Sequence, residues 1–444
     1  MDLEDRSESL EIPEDIIEGI KNNEVVLFIG SGASTEGRGI FKTTLYAEIR
    51  NDLNIKEDIS FSELMQIYCD KPHGRKKLIK EIRNRFQYYE QIPEIKRNMT
   101  QFFYHLSSIY SIKDIITTNW DTLLERECAC VPIIYEEDIA LLDENERKVY
   151  KMHGSIENIS TLIITKDDYD KCYEDLNTNL LGARIKELLA NKIVVFIGYS
   201  LEDEDFKKIW ELINKNLKKL KPHFYIVSPD GNMKDRLKEQ NVTCIKTIAS
   251  EFIIKVKERL INDKVILRRE IFDKVTLDLR NEMIKKHNAT HKLMSKNKEN
   301  LLIYCTSYQD GYIHALDRII AMGNTGIYCC FDYICSSIDS YEELFKINYR
   351  EKKYYDAAYC QGYANGMEVA LLYYGKEADG LKYEIENNYY YLFKQKDEIK
   401  TLEELMEKIE KFKNKEIIKH ANNIVNKYNI NNRKDVVYHH RPFL

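Results

Sequence analysis

Short apolar runs and amphipathic stretches alternate along roughly the first 260 residues of the chain. The runs are rich in β-branched residues and are short, as buried parallel strands are. They are EVVLFIG, IKDIITT, VYKMHG, TLIIT, KIVVFIGYS and HFYIVSP. Between them, SELMQIYCD, the segment 92–109 and LGARIKELLA have apolar positions at helical spacing. Strands that alternate with helices predict an α/β domain with a Rossmann-like, mainly parallel sheet over residues 10–262.

The character of the chain changes after this domain. Residues 263–300 are polar and rich in lysine and asparagine, which predicts a helical linker. Residues 301–444 hold tyrosine-rich stretches and a final run with opposite charges, all at helical spacing. We expect a mostly helical C-terminal domain for oligomerisation or partner docking. A nucleotide sensor is disfavoured, because IYCTSYQDGYIHAL fits a strand and a helix but has one glycine in its loop.

Composition and charge restrict the function classes. Of the 444 residues, 43% are hydrophobic and 32% are charged, and the formal net charge is -6. This balance is typical of a soluble globular protein and gives no basis for nonspecific binding to nucleic acids or acidic membranes. The acidic start, MDLEDRSESL, is unlike a secretory signal, and the apolar runs are too short to span a bilayer. The ten scattered cysteines lack zinc-knuckle spacing, so we expect reduced thiols in a cytoplasmic protein.

A glycine-rich loop, FIGSGAS, follows the first predicted strand. Its residues are Gly30, Ser31, Gly32, Ala33 and Ser34. Glycines at a strand end let the backbone approach a phosphate, and the N-terminus of a following helix attracts the anion. The dinucleotide fingerprint G-x-G-x-x-G is incomplete, because Thr35 occupies its sixth position. A tight turn without a ligand explains this loop equally well.

Polar residues follow a second predicted strand, in the sequence TTNWD. Thr118, Asn119 and Asp121 stand where that strand ends and a helix begins. Because open parallel sheets bind ligands beyond the carboxyl ends of their strands, these side chains are well placed to contact one. Helix capping is the alternative, with Asn119 as the N-cap and Asp121 favourable near the helix dipole.

Two further strand ends carry candidate residues. His153 follows the run VYKM, and a histidine there can act as a general base near neutral pH. A partly buried structural histidine is the alternative. Gly198, Tyr199 and Ser200 follow KIVVFI and could hold a ribose or a phosphate. A well-capped junction between a strand and a helix is the alternative for these three residues.

The order of these motifs resembles the NAD-binding domain of the sirtuins, the SIR2 family. GSGAS is similar to the sirtuin loop Gly-Ala-Gly-x-Ser, with Ser31 in place of alanine. TTNWD is similar to Thr-Gln-Asn-x-Asp, with Thr118 in place of glutamine. HGS matches the His-Gly of the catalytic histidine, and GYS the Gly-Thr-Ser that contacts NAD. HGSIEN, ITKDDYD and FIGYSLEDEDF resemble the bacterial SIR2-like group more closely, over about the first 260 residues.

The resemblance implies hydrolysis of NAD+ to nicotinamide and ADP-ribose. It assigns catalysis to Asn119, His153 and Asp121. It assigns cofactor binding to Gly30, Ser31, Gly32, Ala33, Ser34, Thr118, Gly198, Tyr199 and Ser200. Deacetylating sirtuins insert a four-cysteine zinc module after the histidine, whereas this chain has only Cys172 between His153 and Gly198. We therefore expect no zinc, no other metal and no cofactor beyond the substrate NAD+.

Bacterial SIR2-like proteins of this kind are antiphage effectors that deplete NAD+ and halt growth. The resemblance thus implies an abortive-infection effector that forms a homo-oligomer and works with a HerA-like ATPase. A non-catalytic sensor of NAD or ADP-ribose is the first alternative, and the presence of both Asn119 and His153 argues against it. A protein deacylase is the second, and the missing zinc module argues against that.

Overall fold

The structure is a computed structural model. It describes residues 10–34, 43–199, 204, 207–209, 211, 223–230, 241–381, 389–393, 399–428 and 438–442. The chain divides into two compact units. The first unit comprises residues 1–263 and 324–326, and the second comprises residues 264–323 and 327–444.

Seven parallel strands form the sheet of the first unit. They are β1 (Val25–Ile29), β2 (Asp114–Thr117), β3 (Val131–Ile133), β4 (Lys148–Lys151), β5 (Ile193–Ile197), β6 (Phe224–Ser228) and β7 (Val242–Lys246). Their order across the sheet is β3-β4-β2-β1-β5-β6-β7, and all six pairings are parallel. All five residues of β1 are buried at the centre. The β-branched runs of the sequence suit this position, since both faces of a parallel sheet are covered.

Helices surround this sheet. In the first unit, the helices whose bounds the structure describes are α1 (Glu14–Lys21), α2 (Leu45–Asp52), α3 (Phe61–Cys69), α4 (Gly74–Gln91), α5 (Pro93–Ser107), α6 (Leu123–Cys128), α7 (Glu136–Ile139), α8 (Lys166–Thr178), α9 (Leu180–Asn191) and α10 (Ala249–Asn262). The main core joins apolar residues of α8 and α9 to the rings of Phe28 and Phe196 on the sheet. This packing fixes the central strands, and with them the loops that follow.

Helices α2, α3 and α4 form a smaller core of their own. Leu64 and Leu78 pack there with Ile164, and Trp120 lies at its border. Arg75 on α4 is anchored to the same region, because its Nη1 lies 2.7 Å from Asp168 Oδ2 on α8. The three helices are thereby held against the segments that follow β2 and β4.

The second unit is helical. Its helices are α11 (Arg269–Asn297), α12 (Leu302–Ala321), α13 (Phe331–Arg350), α14 (Tyr354–Ala378), α15 (Leu402–Glu410) and α16 (Lys415–Lys427). Small residues on α14, including Ala357, Ala358 and Ala364, are buried and allow close packing. Many tyrosines are buried with them, and Tyr341 stacks on Tyr363 with ring centroids 3.7 Å apart.

The structure confirms the predicted fold class, a Rossmann-like parallel sheet followed by a mostly helical region. Three details differ from the sequence pattern. The predicted strand TLIIT is wrong, because residues 161–165 join the short 3-10 helix Ile159–Thr161 to α8. The pattern also misses β3 and β7, which lie at the two edges of the sheet. The segment 303–316, which fits a strand and a helix in sequence, lies within α12.

The segment expected as a linker, 263–300, is occupied mostly by α11. Phe272, Val275 and Leu279 on this helix are buried in a core of the second unit. All ten cysteines are thiols. Within the described part of the chain, none of the helices combines the length and the apolar character needed to cross a membrane.

Candidate functional site

The carboxyl ends of three central strands lie side by side. Ile29 at the end of β1 pairs with Thr117 of β2 on one side and with Ile197 of β5 on the other. The chain winds from β1 towards β2 and β4, and from β5 towards β6 and β7. Open parallel sheets bind ligands where the winding direction reverses. Here the reversal lies between β1 and β5, and the structure brings the glycine loop, TTNWD and the Gly-Tyr pair together beside it.

The loops after β1 and β5 interlock through their glycines. Gly32 donates its backbone N–H to the carbonyl oxygen of Gly198, at 3.0 Å. A Cβ atom on Gly32 would lie 2.8 Å from the Cα of Gly198. Gly198 itself has a φ of 78°, and a Cβ there would lie 2.5 Å from the backbone nitrogen of Ala33. Only glycine fits these positions, so the loops require it for their own packing.

We expect Gly198→Ala to destabilise the first unit. The positive φ alone costs a non-glycine residue about 1–3 kcal/mol, and the contact with Ala33 adds to it. Gly375→Ala is a matched control on α14, since a Cβ there meets nothing within 4 Å. The control should stabilise the second unit by about 0.5–1 kcal/mol, because alanine is the better helix former. Thermal and urea unfolding of both variants measure this. A Gly198→Ala midpoint at or above that of the wild type contradicts the interlocked geometry.

The N–H groups of the glycine loop are largely engaged within the protein. Those of Gly30, Gly32, Ala33 and Ser34 donate to carbonyl oxygens of Ile197, Gly198, Gly30 and Ser31. Ser31 is the exposed residue of this loop, while Ala33 and Ser34 are buried. A bound phosphate would therefore meet Ser31 and the glycine backbone first.

Asn119 is fixed by hydrogen bonds from its own side chain. Its Nδ2 donates to the carbonyl oxygen of Gly30 and to Oγ of Ser34, each at 3.1 Å. Its backbone N–H donates to Oγ1 of Thr117, which in turn donates to the carbonyl oxygen of Ile29. The alternative reading of Asn119 as an N-cap is wrong, because α6 begins only at Leu123, with Thr122 at the N-cap position. The side chain is oriented towards the glycine loop and is half-buried.

Asp121 joins this network and also accepts a hydrogen bond from the first residue of α6. Its Oδ2 accepts a hydrogen bond from Ser34 Oγ at 3.1 Å, and its Oδ1 accepts one from the N–H of Leu123 at 3.0 Å. Ser34 thus lies between the amide of Asn119 and the carboxylate of Asp121. Asp121 also lines a cleft, together with Phe86, Lys96, Met99, Thr100, Leu123 and Arg126. The three side chains form one connected polar chain at the end of β1 and β2.

Tyr199 connects the loops after β2 and β5. Its hydroxyl lies 2.8 Å from Oγ1 of Thr118 and donates to the carbonyl oxygen of Ile29 at 3.3 Å. The ring is buried edge-on against Phe28 and Phe196. Of the residues predicted to bind a cofactor, Thr118 and Tyr199 therefore bond to each other here. Ser200 lies outside the described residues.

His153 stands at the same edge of the sheet as Asn119. Strands β2 and β4 pair through Thr117 and Lys151, so His153 and Asn119 each lie two residues beyond a paired position. The side chain is only 2% exposed, and its ring packs against Tyr169 with centroids 4.7 Å apart. Gly154 follows with a φ of 74°, which turns the chain away from the strand. The orientation of the imidazole is thus set by packing.

The sequence reasoning missed a buried ion pair beneath these residues. The ammonium group of Lys151, whose side chain is 1% exposed, lies 2.9 Å from Oε1 of Glu125 on α6. It also donates to the carbonyl oxygen of Asp121. Burial raises the pKa of Glu125 despite the attraction of Lys151. The one available signal was a lysine inside a buried strand, where charged residues are rare unless paired.

Comparison with known proteins finds similarity to one domain family and to several curated bacterial proteins. Residues 113–248 match the family model described as a SIR2-like domain. A protein named NAD(+) hydrolase ThsA from Cytobacillus dafuensis is 29% identical over 203 residues, 44% of this chain and 39% of that protein. The ThsA of Enterococcus faecium is 28% identical over 223 residues, 47% of this chain and 44% of that protein. Defense-associated sirtuin 2 from Bacillus subtilis is 30% identical over 128 residues, 26% of this chain and 12% of that protein.

This chain spans less than half the length of these curated relatives. A solved structure described as "Structural Basis for the Mechanism and Regulation of Sir2 Enzymes" covers 56% of this chain and 97% of its own. Its TM-score is 0.28 at 14% identity.

The parallel sheet and its glycine-lined central edge define a Rossmann-like α/β domain. Residues 113–248 within it match a SIR2-like domain, and the chain is similar to bacterial proteins named for NAD+ hydrolysis and for defence. The resemblance to bacterial SIR2-like proteins noted in the sequence is thereby confirmed.

Proposed function

We propose that this protein is an NAD+ glycohydrolase that releases nicotinamide and ADP-ribose. The observation that carries the proposal is the side-chain amide of Asn119, bonded to Gly30 and Ser34 at the winding reversal of a SIR2-like domain. Relatives named NAD(+) hydrolase are 29% and 28% identical to this chain over 203 and 223 residues, which supports the same chemistry here.

The reaction breaks one bond and forms another at the ribose carbon C1′. As the bond to nicotinamide breaks, its electron pair moves to the pyridine nitrogen, which becomes neutral. Positive charge spreads over C1′ and the ring oxygen of the ribose. Water then adds to C1′ and loses a proton. Such a step needs a positioned water, stabilisation of the positive charge and a proton acceptor.

Asn119 and Asp121 suit the ribose side of this reaction. We propose that the side-chain carbonyl oxygen of Asn119 accepts a hydrogen bond from a ribose hydroxyl or from the attacking water. Its Nδ2 already donates to Gly30 and Ser34. The carboxylate of Asp121 supplies negative charge near the developing cation and orients Asn119 through Ser34. We propose that His153 accepts the proton that the water loses. Its ring packs against Tyr169, which holds it in place.

The two interlocked loops suit the rest of the dinucleotide. We propose that the segment from Gly30 to Ser34 receives the pyrophosphate, with Ser31 as its exposed contact. We assign the adenosine side to Gly198 and Tyr199, with Thr118 between the two loops, and the assignment of Ser200 to the same side stays a prediction from the sequence. The close approach of Gly32 and Gly198 keeps side chains out of this path.

We propose antiphage defence by depletion of NAD+ as the biological role. The relatives named ThsA and Defense-associated sirtuin 2 support it. We further propose a homo-oligomer, and a HerA-like ATPase as the partner that triggers activity. No zinc or second cofactor is needed for the hydrolytic step, because water and the residues named above supply every group in it.

The test compares nicotinamide release by three purified proteins. We expect His153→Gln to lower the rate by about 10²- to 10⁴-fold, the usual contribution of a general base, while its volume remains similar. His223→Ala is the control, because His223 is exposed and immediately precedes β6. All three are assayed alone and with the products of neighbouring genes, and circular dichroism checks their folding. Equal rates in wild type and His153→Gln would exclude His153 as the base.

A further inference from the structure

Three elements of the second unit meet at a buried carboxylate. Asp310 lies on α12 and is 1% exposed. Nε2 of His287, on α11, lies 3.2 Å from its Oδ1. Nδ1 of His439, in the described segment 438–442, lies 2.7 Å from the same oxygen. One carboxylate oxygen thus receives two imidazole nitrogens from different parts of the chain.

The second oxygen of the Asp310 carboxylate already accepts a hydrogen bond from the backbone. Oδ2 of Asp310 accepts the backbone N–H of His440 at 2.7 Å. This bond fixes the rotation of the carboxylate and directs Oδ1 towards the two imidazoles. Hydrogen bonds of this kind hold metal-binding carboxylates in place in known sites.

His287 provides the second, independent observation. Its side chain is 2% exposed, and its Nε2 lies 3.2 Å from Oδ1 of Asp310 but makes no well-aligned hydrogen bond among the described residues. A buried polar atom that makes no hydrogen bond is costly, and such atoms are rare in folded proteins. The nitrogen is directed at Oδ1 of Asp310, the atom that His439 also approaches. A cation between these three atoms would bind the Nε2 of His287.

We propose that His287, Asp310 and His439 bind a divalent cation of the zinc class. The three ligand atoms all lie within 4.8 Å of one another. Zinc bonds of about 2.0–2.1 Å in a tetrahedron separate neighbouring ligand atoms by about 3.3 Å. Small shifts of the side chains therefore suffice. Two imidazoles and one carboxylate form a donor set that zinc accepts, and they leave a fourth position for water.

One of the three residues, His439, is exposed on one side of the site. The rings of His287 and His439 are within 11° of parallel with centroids 4.9 Å apart, so one ring must turn to direct its lone pair at a shared cation. His439, whose side chain is 54% exposed, has the room to turn. The cation would join the segment 438–442 to α11 and α12. This proposal departs from our expectation of a metal-free chain, which rested on the missing cysteine module alone.

Zinc binding by the purified full chain tests the proposal. The chain is stripped with EDTA and dialysed against zinc, and bound metal and melting temperature are measured. We expect one zinc ion per chain and a higher melting temperature with zinc. His439→Asn keeps an amide donor where Nδ1 was, so it retains the bond to Asp310 but loses the imidazole ligand. It should bind zinc at least about tenfold more weakly, whereas the exposed-histidine control His223→Ala should bind like the wild type.

Cobalt in place of zinc distinguishes this site from the cysteines. A nitrogen and oxygen donor set gives no thiolate-to-cobalt charge-transfer band in the near ultraviolet. The proposal is overturned if the stripped wild type takes up no zinc, or if His439→Asn binds it as tightly as the wild type. A cobalt spectrum with thiolate bands also overturns it, because the ion would then lie on cysteines.

Discussion

Replacing Asn119 with alanine is expected to lower the rate of nicotinamide release by about 10²- to 10⁴-fold. The change removes the amide that we assign to the ribose or the water. It also removes two hydrogen bonds, to Gly30 and Ser34, each of which contributes about 1 kcal/mol to the free energy of unfolding. We therefore expect Asn119→Ala to remain folded while its rate of nicotinamide release falls. Initial rates at saturating NAD+, with circular dichroism on the same samples, measure both effects.

Asn119→Asp tests whether the Nδ2 donor of Asn119 is required. It keeps the size of the side chain but replaces the Nδ2 donor with an oxygen, which then faces the carbonyl oxygen of Gly30. We expect it to be inactive and less stable than Asn119→Ala, because two acceptors repel each other. Asn177→Ala is the control, since Asn177 is exposed and its Nδ2 donates to a backbone carbonyl on α8. Full activity in Asn119→Asp would show that the amide donor is unnecessary.

Replacing Lys151 with methionine is expected to destabilise the first unit by about 3–5 kcal/mol. The change leaves the carboxylate of Glu125 buried without its countercharge. Burial already raises the pKa of Glu125, and losing Lys151 raises it further, so Glu125 takes up a proton in the folded variant. The bond from Lys151 to the carbonyl oxygen of Asp121 is lost as well, which loosens the loop that carries Asn119. Urea unfolding at constant pH measures the change.

Two comparisons isolate the buried ion pair. The double variant Lys151→Met with Glu125→Leu should recover much of the lost stability, because no unpaired charge remains. Lys166→Met removes the same type of residue from an exposed pair with Glu63, where both side chains are about half exposed. We expect little change there, since solvent screens surface pairs. A Lys151→Met variant as stable as Lys166→Met would contradict a buried, coupled pair.

The strand ends were predictable because each is local in sequence. An apolar run followed by glycine, asparagine or histidine predicts the end of a strand, as at Gly30, Asn119 and His153. Parallel strands bring such ends to one edge, so their proximity follows from the fold class. The edge strands β3 and β7 were not predictable in this way, since Val131–Ile133 is short and Val242–Lys246 is only partly buried.

Side-chain partnerships were not predictable, because they join residues far apart in sequence. Ser34 and Asp121 are 87 positions apart, and Lys151 and Glu125 belong to different elements. Thr117 looks like an ordinary strand residue, yet its hydroxyl links Ile29 to Asn119. The contact between Asp310 and His439 was also not predictable, because in sequence Asp310 is one polar residue of a helical stretch and His439 lies far from it. Long-range packing determines such contacts, and the spacing of apolar residues along the sequence does not predict them.

A product balance for NAD+ tests the central claim most directly. The purified chain is incubated with NAD+, alone and with the products of neighbouring genes, and all nucleotides are separated by chromatography. We predict that nicotinamide and ADP-ribose appear in equal amounts, that no acylated peptide is required, and that Asn119→Ala forms both products about 10²- to 10⁴-fold more slowly. Intact NAD+ that remains bound to the wild type under every condition would contradict the proposed hydrolase and identify a binding module instead.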